Sequence, residues 1–582
     1  MFILGIHNGE HDASACLFDD YRLLAAVSLE RLTRKKNAGV SVDAEWPFAA
    51  IDECLACAGI GRHDIDVICV SRGHFELQSY KLRGRWRIKQ AWYGLLGQKR
   101  LILLSDMNRR QRPKNSVDIL DHERLCAGYG FTKARLWVYN HHAAHAFPAY
   151  FFSDFDDALI YTADGIGDNI SYSVSVGKPD GIEILSGGDG KLLGPYEVNS
   201  IGYLYGFFTI ALGYVWHRHE GKLTGLAGYG KPVAADEIVS HFSVSPAGEI
   251  ASNFSSYDVM REYARLVCRR LSREDAAASV QDATERVIGR AVAALQARTG
   301  LRSLALSGGV FANVRLNRTL FENGVTERVF IFPAMGDDGL PVGGCLLYLY
   351  ERDGVAAWQR ARYRLDSLYL GRDHDGRFDA AAARLPQVTG SAERPIEQAV
   401  DALIAGRVVA IYTDRMEFGP RALGARSILA AATAHEINDA INKRLERTEF
   451  MPFAPVVLDE HAADVFDINP GNAHAARFMT ITCDVKPAWR KRVPAVVHVD
   501  GSARPQTIRS GDNPLYHGVL DLYHRRTGTP VLVNTSFNVH EEPIVDTPEQ
   551  ALKSLIDGRI DHILTRQKFY GLRTSASRSQ AP

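Results

Sequence analysis

The sequence predicts an α/β protein, because short apolar runs alternate with longer stretches of helical pattern. Most of the runs end in Gly, Asp or Asn, which is typical of strands whose carboxyl ends meet ligands. At 582 residues the chain is also too long for one hydrophobic core. The predicted strands, in chain order, are residues 2–6, 23–28, 67–70, 136–139, 158–162, 304–306, 329–332 and 408–412.

Loop-forming residues between positions 355 and 400 divide the chain. Two large domains fit the length, as do three or four domains of about 100 to 200 residues each. We expect a first domain over residues 1–385 and a second over residues 395–573.

Composition names no partner. The chain has 46% hydrophobic and 23% charged residues, and its 68 basic residues balance 68 acidic ones, so we expect no nucleic acid to bind. The N-terminus lacks the features of a signal peptide, and no window holds the ~18 uninterrupted apolar residues of a membrane helix, so we expect a cytoplasmic protein. Scattered cysteines indicate a reducing compartment, and Cys54-Leu-Ala-Cys57 lacks the second pair of a zinc site.

Residues 81–114 form a basic segment, with eleven Lys or Arg against the single acidic residue Asp106. Trp86, Trp92 and the apolar run 101–104 interrupt the charges. One interpretation is an inserted, solvated helical hairpin, and another is a face for an anionic or membrane-borne acceptor. The sequence leaves both open.

A histidine-rich string follows the strand at 136–139. On a helix, His141 and His145 lie one turn apart on the same face, which makes half of a metal site. His142 points elsewhere on such a helix, although it can pair with His145. A histidine-rich helix start can also be structural.

Two carboxylates that close strands, Asp164 and Asp337, could complete the ligand set. Two His and two Asp suit iron, manganese or zinc, whereas an oxygen-only site suits magnesium better. Asp168 and Asp338 are rival ligands. Each Asp also stands beside Gly, where turn formation is the common role.

Glycine-rich strand ends predict a nucleotide cleft. They are Asp164-Gly165-Ile-Gly, the string from Ser307-Gly308-Gly309 to Asn313, and residues 336–344. Turns without side chains let backbone N–H groups approach phosphate oxygens.

The string His11-Asp12-Ala-Ser14 follows the first strand, where a histidine can act as general base on an alcohol. Ser14 can equally cap a turn. Lys36 can meet phosphate, although charge runs such as its own are usually solvated.

Four basic residues in the second half predict a site for a small dianion, because convergent guanidinium groups bind such ions. Neutral donors from Asn534-Thr-Ser536-Phe-Asn follow the strand at 530–533. Any single arginine could instead be a surface ion-pair partner. The basic residues are Arg421, Lys443, Arg447 and Arg504.

Together these strings resemble the NodU/CmcH carbamoyltransferases, over nearly the whole chain. The motifs that carry the resemblance are His11-Asp-Ala-Ser, Asn140-His-His-Ala-Ala-His, Glu220-Gly-Lys-Leu-Thr-Gly-Leu-Ala-Gly-Tyr-Gly, Ser307-Gly-Gly-Val, Glu417-Phe-Gly-Pro-Arg-Ala-Leu-Gly, Phe450-Met-Pro-Phe-Ala-Pro, Asp500-Gly-Ser-Ala-Arg and Asn534-Thr-Ser-Phe-Asn. The resemblance implies an N-terminal ASKHA domain, which is actin- or ribonuclease-H-like, followed by a YrdC-like α/β domain. It also implies that carbamoyl phosphate and ATP form carbamoyl-adenylate in the second domain and that the first domain transfers the carbamoyl group to a hydroxyl, with pyrophosphate and AMP as leaving products.

The resemblance also assigns roles to residues. Fe²⁺ is the favoured metal, with Mn²⁺, Zn²⁺ or Mg²⁺ as alternatives, and its ligands would be His141, His145, Asp164 and Asp337. The catalytic residues would be His11 and Asp12. Carbamoyl-adenylate would contact Lys36, Asp164, Gly165, Ser307, Gly308, Gly309, Asn313 and Asp338. Carbamoyl phosphate would contact Arg421, Lys443, Arg447, Arg504, Asn534 and Ser536.

The sequence departs from the family at the anion pocket and leaves the acceptor open. Met451 stands where many relatives have Arg, and their Lys lies nearer Arg447 than Lys443 does. We expect the acceptor to be a hydroxyl-bearing natural product or saccharide, with a molecule at a membrane surface as an alternative, and the sequence does not indicate the oligomeric state. Competing hypotheses are a transferase of the tRNA-modification type and an ATP-driven binding module without covalent transfer.

Overall fold

A computed structural model describes residues 1–40, 45–113, 116–192, 194, 196–446 and 451–573. The predicted α/β class is confirmed. Within these residues the strands are β1 Phe2–His7, β2 Ser14–Asp19, β3 Arg22–Ser28, β4 Val67–Val70, β5 His74–Glu76, β6 Leu101–Leu103, β7 Arg135–Val138, β8 Ala158–Gly167, β9 Ile170–Lys178, β10 Gly181–Ser186, β11 Phe242–Val244, β12 Ile250–Ser252, β13 Ser303–Ser307, β14 Arg328–Ile331, β15 Tyr369–Asp373, β16 Val388–Ser391, β17 Val409–Tyr412, β18 Arg415–Glu417, β19 Arg426–Ala431, β20 Ala454–Leu458, β21 Cys483–Asp484, β22 Ser502–Ala503, β23 Gln506–Ile508, β24 Val531–Ser536, β25 His562–Leu564 and β26 Phe569–Leu572.

Helices separate many of these strands. In the described part of the chain they are α1 Leu29–Thr33, α2 Phe48–Ala58, α3 Arg85–Leu95, α4 Leu104–Gln111, α5 His122–Leu125, α6 His141–Phe151, α7 Ile201–Ala211, α8 Glu220–Leu226, α9 Ala235–Ser240, α10 Tyr257–Arg270, α11 Arg273–Thr299, α12 Val314–Phe321, α13 Leu340–Ala361, α14 Asp375–Ala383, α15 Pro395–Ile404, α16 Glu436–Arg444, α17 Ala462–Val465, α18 Ala473–Arg477, α19 Pro487–Arg490, α20 Pro514–Thr527 and α21 Pro548–Ile556. None of these helices combines the length and apolar content that crossing a membrane requires.

Two five-stranded sheets share one topology. The first has the order β3-β2-β1-β4-β7 and the second β10-β9-β8-β13-β14. In each sheet three antiparallel strands are followed by two strands parallel to the first. This repeated order is that of the two ribonuclease-H-like halves of an ASKHA domain, so the predicted fold of the first half of the chain is confirmed.

The core between these sheets contains α6 and α13, which pack on each other. A Cβ atom on Gly343 would lie 1.7 Å from the Ala144 carbonyl oxygen, and one on Gly344 would lie 2.2 Å from the Tyr139 ring. These two glycines therefore allow the helices to pack closely. We predicted a phosphate-binding turn over residues 336–344, and for Gly343 and Gly344 that prediction is wrong, because both lie inside α13.

An eight-stranded mixed sheet forms the last third of the chain, in the order β16-β26-β25-β17-β19-β24-β20-β23. Helices α15 and α20 pack on one face, and α14 and α21 pack on the other. Such a three-layer arrangement buries both faces of the sheet, which explains why its central strands are nearly continuous apolar runs. The α/β class predicted for this part of the chain is confirmed.

Candidate active site

The carboxyl ends of strands from both five-stranded sheets supply the candidate site. Helix α6 begins just after β7, where the Asn140 side chain accepts the Ala143 N–H at 3.0 Å and caps the helix. The His141 N–H donates to Asp168 Oδ2 at 2.9 Å, and that carboxylate pairs with Arg72 at 2.7 Å. The first turn of α6, which carries His141, is therefore fixed from both sides.

His141, His145, Asp164 and Asp337 converge on one point. His145 Nε2 lies 3.0 Å from Asp164 Oδ2 and 3.4 Å from Asp337 Oδ1. His141 Nε2 lies 3.4 and 3.6 Å from the same two oxygens. The four ligand-type atoms all lie within 4.8 Å of one another. Two imidazole nitrogens and two carboxylate oxygens fit the donor set of a divalent transition metal.

The histidines of this cluster favour the charged form of its carboxylates, and the carboxylates favour the charged form of His145. Burial disfavours a carboxylate, yet hydrogen bonds from His141 and His145 hold the pKa of Asp164 well below its usual range. Burial also lowers the pKa of His145, but the hydrogen bonds to Asp164 and Asp337 outweigh it and raise that pKa to about 9. Burial and the charge of Asp164 raise the pKa of Asp337, but His141 and His145 outweigh them and lower it to about 2. Both carboxyl groups are thus in the ionised form that binds metals.

The neighbouring candidates have other partners. His142 is fully buried, with Nδ1 2.7 Å from Thr162 Oγ1 and Nε2 2.9 Å from the Ile170 carbonyl oxygen, so its role is structural. Asp338 turns away from the cluster and accepts from Ser28 Oγ at 3.3 Å. Burial, together with the charge of Asp12, raises the pKa of Asp338 to about 7. Asp168 is occupied by Arg72 and by the start of α6.

His11 lies beside the cluster and is oriented by Asp12. His11 Nδ1 is 3.0 Å from Asp12 Oδ2, and Asn37 Nδ2 donates to Asp12 Oδ1 at 2.7 Å. The His11 ring also stacks on His217 with centroids 4.3 Å apart. Burial lowers the pKa of His11, but the bond to Asp12 and the charge of Asp337 raise it by more. With Nδ1 held by Asp12, Nε2 is the nitrogen that can face a substrate.

The glycine-rich loop after β13 lies against the metal-ligand cluster. Ser307 Oγ is 3.5 Å from His145 Nδ1, the ring nitrogen opposite the cluster. Gly308 has φ +104°, and a Cβ there would lie 2.2 Å from the Ala163 carbonyl oxygen. Only glycine fits this close approach of two strands. A Cβ on Gly309 would lie 3.0 Å from Asp164 Oδ1, so this loop forms one wall of the site.

Other predicted nucleotide contacts have structural partners. Asn313 caps α12 by accepting the Leu316 N–H at 3.1 Å, and it donates to Gln281 Oε1 at 2.8 Å. The Gly165 N–H donates to Asp164 Oδ1 at 2.7 Å, which fixes that carboxylate. The Lys36 carbonyl oxygen accepts from Arg218 at 3.1 Å.

The loop between β18 and β19 carries Arg421 to the first half of the chain. The Arg421 Nη2 atom lies 3.5 Å from the Ala312 carbonyl oxygen. Arg31 donates to the carbonyl oxygen of Gly419, in the same loop, at 2.7 Å. Burial and then the nearby charge of Arg504 lower the pKa of Arg421 well below its usual range. Two neighbouring guanidinium groups repel each other unless an anion lies between them.

The remaining anion-site candidates differ in position. Asn534 Nδ2 donates to the Ala422 carbonyl oxygen at 3.1 Å and to Gln506 Oε1 at 2.6 Å, so it supports the Arg421 loop. Ser536 ends β24 and bonds to Asn538. Lys443 is exposed near the end of α16, and Arg447 lies outside the described residues.

The motif that begins at Glu220 meets the second half of the chain. A Cβ on Gly225 would lie 1.4 Å from Met451 Sδ, and one on Gly228 would lie 2.3 Å from the His498 ring. A cavity of about 540 Å³ opens here, and Tyr229, α16 residues and His498 are among its lining. Its volume is that of a small-molecule site.

Comparison with known proteins decides the family. A family model described as carbamoyltransferase N-terminus matches residues 2–346, and one described as carbamoyltransferase C-terminus matches residues 400–570. The chain belongs to the carbamoyltransferase family. The resemblance is therefore confirmed, and the protein is a transferase whose family uses carbamoyl phosphate as donor.

Relatives of this carbamoyltransferase span most of its length. Nodulation protein NolNO of Sinorhizobium fredii (strain NBRC 101917 / NGR234) is 31% identical over 584 residues, which cover 97% of this chain and 80% of that protein. An uncharacterised protein of Methanocaldococcus jannaschii is 32% identical over 444 residues, covering 73% and 72%. Component A of the Acidaminococcus fermentans (R)-2-hydroxyglutaryl-CoA dehydratase covers 60% of this chain and 98% of its own at 14% identity, with a TM-score of 0.33. At that TM-score the likeness adds nothing to the sheet topology.

The sequence did not single out His7 of the carbamoyltransferase. It ends β1, is buried, and places Nε2 3.8 Å from Asp337 Oδ2. Burial lowers its pKa to about 4, so the ring is neutral. Among the described residues neither ring nitrogen has a hydrogen-bond partner. The available signal was a polar residue closing an apolar strand, four positions before His11.

Glu417 is a second residue whose role the sequence did not indicate. This carboxylate is 1% exposed, and Oε1 accepts three backbone N–H groups at 2.8 to 2.9 Å. The donors are Leu423, Ala425 and Arg426. Glu417 therefore fixes the loop that carries Arg421.

We expect Glu417→Gln to lower the free energy of unfolding by about 2 kcal/mol, because hydrogen bonds to a charged acceptor are worth about 1.5–3 kcal/mol. Denaturant unfolding of the variant measures this loss. The control is Glu393→Gln, which changes an exposed glutamate and should leave stability unchanged. Equal stability of the two variants would show that Glu417 does not hold the loop.

We expect Asp168→Asn to weaken metal binding about tenfold, as loss of a partner that orients a ligand usually does. Asp168 acts by holding the His141 backbone and is itself buried. Anaerobic titration with Fe²⁺ measures the dissociation constant. Asp52→Asn is the control, because Asp52 also pairs with an arginine, Arg62 at 2.7 Å, but its side chain is 55% exposed and lies on α2. Equal weakening in both variants contradicts the role given to Asp168.

Proposed function

We propose that this carbamoyltransferase makes carbamoyl-adenylate from carbamoyl phosphate and ATP and then transfers the carbamoyl group to a hydroxyl. The observation that carries the proposal is the convergence of four metal-ligand atoms within 4.8 Å, close enough to His11 for the charge of Asp337 to act on that ring. A metal-type donor set beside a histidine base suits attack by an alcohol on an activated carbonyl group.

Arg421 and Arg504 would hold the phosphate group of carbamoyl phosphate. A dianion between the two guanidinium groups would remove their mutual repulsion and accept charge-assisted hydrogen bonds from both. The buried Arg421 Nε has no acceptor among the described residues. Asn534 and Ser536 would add neutral donors. Lys443 and Arg447 stay predictions for the same pocket.

Formation of carbamoyl-adenylate would proceed in two steps, which release phosphate and then pyrophosphate. Carbamoyl phosphate releases phosphate with the uptake of water, the resulting carbamate oxygen attacks the α-phosphorus of ATP, and pyrophosphate leaves. The product is a mixed anhydride whose AMP group is a good leaving group. Water would destroy it, so we expect it to pass to the first domain without release to solvent.

In the first domain the neutral form of His11 would take the proton of the acceptor hydroxyl at Nε2, while Asp12 accepts from Nδ1 and keeps the ring in place. The Ser307-Gly308-Gly309 loop, Gly165 and Lys36 would contact the adenylate, with Asn313 and Asp338 as further predicted contacts. A divalent metal held by His141, His145, Asp164 and Asp337, with Fe²⁺ favoured over Mn²⁺, Zn²⁺ or Mg²⁺, would supply positive charge for the phosphate and for the carbamoyl oxygen. AMP leaves as the carbamate ester forms.

Incubation with ATP, carbamoyl phosphate and Fe²⁺ tests the proposal. We expect pyrophosphate release that depends on carbamoyl phosphate, followed by AMP when an acceptor alcohol or saccharide is added. Release of ADP alone would favour an ATP-driven binding module, and carbamoyl transfer to RNA alone would favour a tRNA-modifying enzyme. No pyrophosphate with any of the four metals would contradict the adenylate route.

A further inference from the structure

Helix α3, in the basic segment, has an inner face that meets the protein and an outer face that is exposed to solvent. Trp86, Gln90 and Tyr93 face inward, at the i, i+4 and i+7 spacing of one helix face. Gln90 Nε2 donates to the Leu77 and Tyr80 carbonyl oxygens at 2.7 Å each, and the two aromatic rings pack against the core of the first sheet. These contacts fix the helix and its rotation.

The opposite face of α3 turns four large apolar side chains to solvent. Their exposed fractions are 74% for Ile88, 61% for Trp92, 82% for Leu95 and 50% for Leu96. They follow the i, i+4, i+7 and i+8 spacing of a single stripe. Exposed apolar side chains scattered singly are ordinary, whereas a contiguous stripe marks an interaction surface.

The stripe lies in a strongly basic part of the chain. Residues 77–105 contain no Asp or Glu and seven basic residues, although the whole protein has a net charge of zero. Most of the seven are exposed. They are Lys81, Arg83, Arg85, Arg87, Lys89, Lys99 and Arg100. The partner of this face must therefore accept apolar side chains at its centre and positive charge around them.

We propose that the outer face of α3 docks this enzyme on the anionic lipid surface of a membrane. Ile88, Leu95 and Leu96 would enter the boundary between headgroups and acyl chains, and Trp92 would occupy the interface that tryptophan favours. The surrounding Lys and Arg side chains reach anionic headgroups while their stems cover apolar surface. This surface rests on α3 alone and does not depend on the adenylate route.

Two other occupants fit the face less well. A second copy of the chain in a two-fold dimer would bring the same patch against itself. Lys99 pairs with Glu76 at 3.6 Å, so the six other positive charges would face six of their own kind. A nucleic acid would satisfy the charges, but its phosphate backbone offers nothing to the aliphatic side chains of Ile88, Leu95 and Leu96. An anionic membrane satisfies both requirements.

Vesicle co-sedimentation of the full chain tests the docking. We expect binding to vesicles of phosphatidylcholine with phosphatidylglycerol, weak binding to phosphatidylcholine alone, and loss of binding in high salt. The double variant Trp92→Ser, Leu95→Ser should bind at least about tenfold more weakly. Arg85→Gln with Arg87→Gln should weaken binding about 25-fold, because each cation near such a surface contributes about fivefold.

The matched control is Leu266→Ser, which removes a 52% exposed leucine from another helix, α10, and should bind vesicles as the parent does. Circular dichroism checks that every variant keeps its helix content. The proposal is overturned by equal binding to both vesicle types, by equal losses in the control, or by the absence of vesicle binding. It is also overturned if α3 substitutions abolish dimers or RNA binding while leaving vesicle binding unchanged.

Discussion

His11→Ala should release pyrophosphate at the parent rate but lose carbamoyl transfer by a factor of about 10² to 10⁴, which is the usual contribution of a general base. The reason is that His11 and Arg504 belong to different sites. The charge of Asp337, a member of the four-residue metal-ligand cluster, acts on His11, and Asp12 holds the His11 ring. Arg504→Ala should lose both pyrophosphate release and transfer, because the charge of Arg504 acts on Arg421 and we propose that both hold carbamoyl phosphate.

The measurement combines pyrophosphate release with mass spectrometry of the acceptor. His63→Ala is the control for the first variant, since His63 is 74% exposed in its side chain. Arg261→Ala, 60% exposed on α10, is the control for the second. If His11→Ala and Arg504→Ala lose pyrophosphate release equally, the division of labour between the two sites is wrong.

Asp337→Asn should abolish tight metal binding, whereas Asp338→Asn should retain it. The two residues are adjacent, yet only Asp337 places a carboxylate oxygen within 3.4 Å of His145 Nε2. Losing a direct ligand should cost more than the ~10- to 100-fold that loss of an outer partner costs. Asp338 accepts from Ser28 instead, so its substitution changes charge without removing a ligand.

Metal content after anaerobic loading with Fe²⁺ and dialysis measures this difference without any assay of activity. We expect about one ion per chain in the parent and in Asp338→Asn, and almost none in Asp337→Asn. The melting temperature should rise on metal addition only in the two proteins that bind. If Asp337→Asn retains the ion and Asp338→Asn loses it, Asp338 is the metal ligand and Asp337 is not.

The strands could be predicted from sequence because their signal is local. The runs at 67–70 and 304–306 are continuous apolar segments, as buried parallel strands are. Gly343 and Gly344 show the limit of that approach. A glycine pair after a strand has the same composition whether it approaches phosphate or a neighbouring helix, and only the position of Ala144 distinguishes the two.

The candidate site was harder to predict, because its residues come from separate strands. His141 and His145 could be placed on one helix face from spacing alone. The roles of His7 and Glu417 could not be predicted, since each depends on atoms brought near by folding: Asp337 for His7, and the backbone N–H groups of Leu423, Ala425 and Arg426 for Glu417.

The sequence alone determined the family, the α/β class and the histidine pair of the carbamoyltransferase, because motif residues and apolar periodicity are written along the chain. The tertiary structure decided which carboxylates meet those histidines, that the charge of Arg504 acts on the buried Arg421, and which face of α3 is left to solvent. The physical reason is that strand pairing and helix packing bring together groups distant in sequence, and their distances fix charge, burial and coordination.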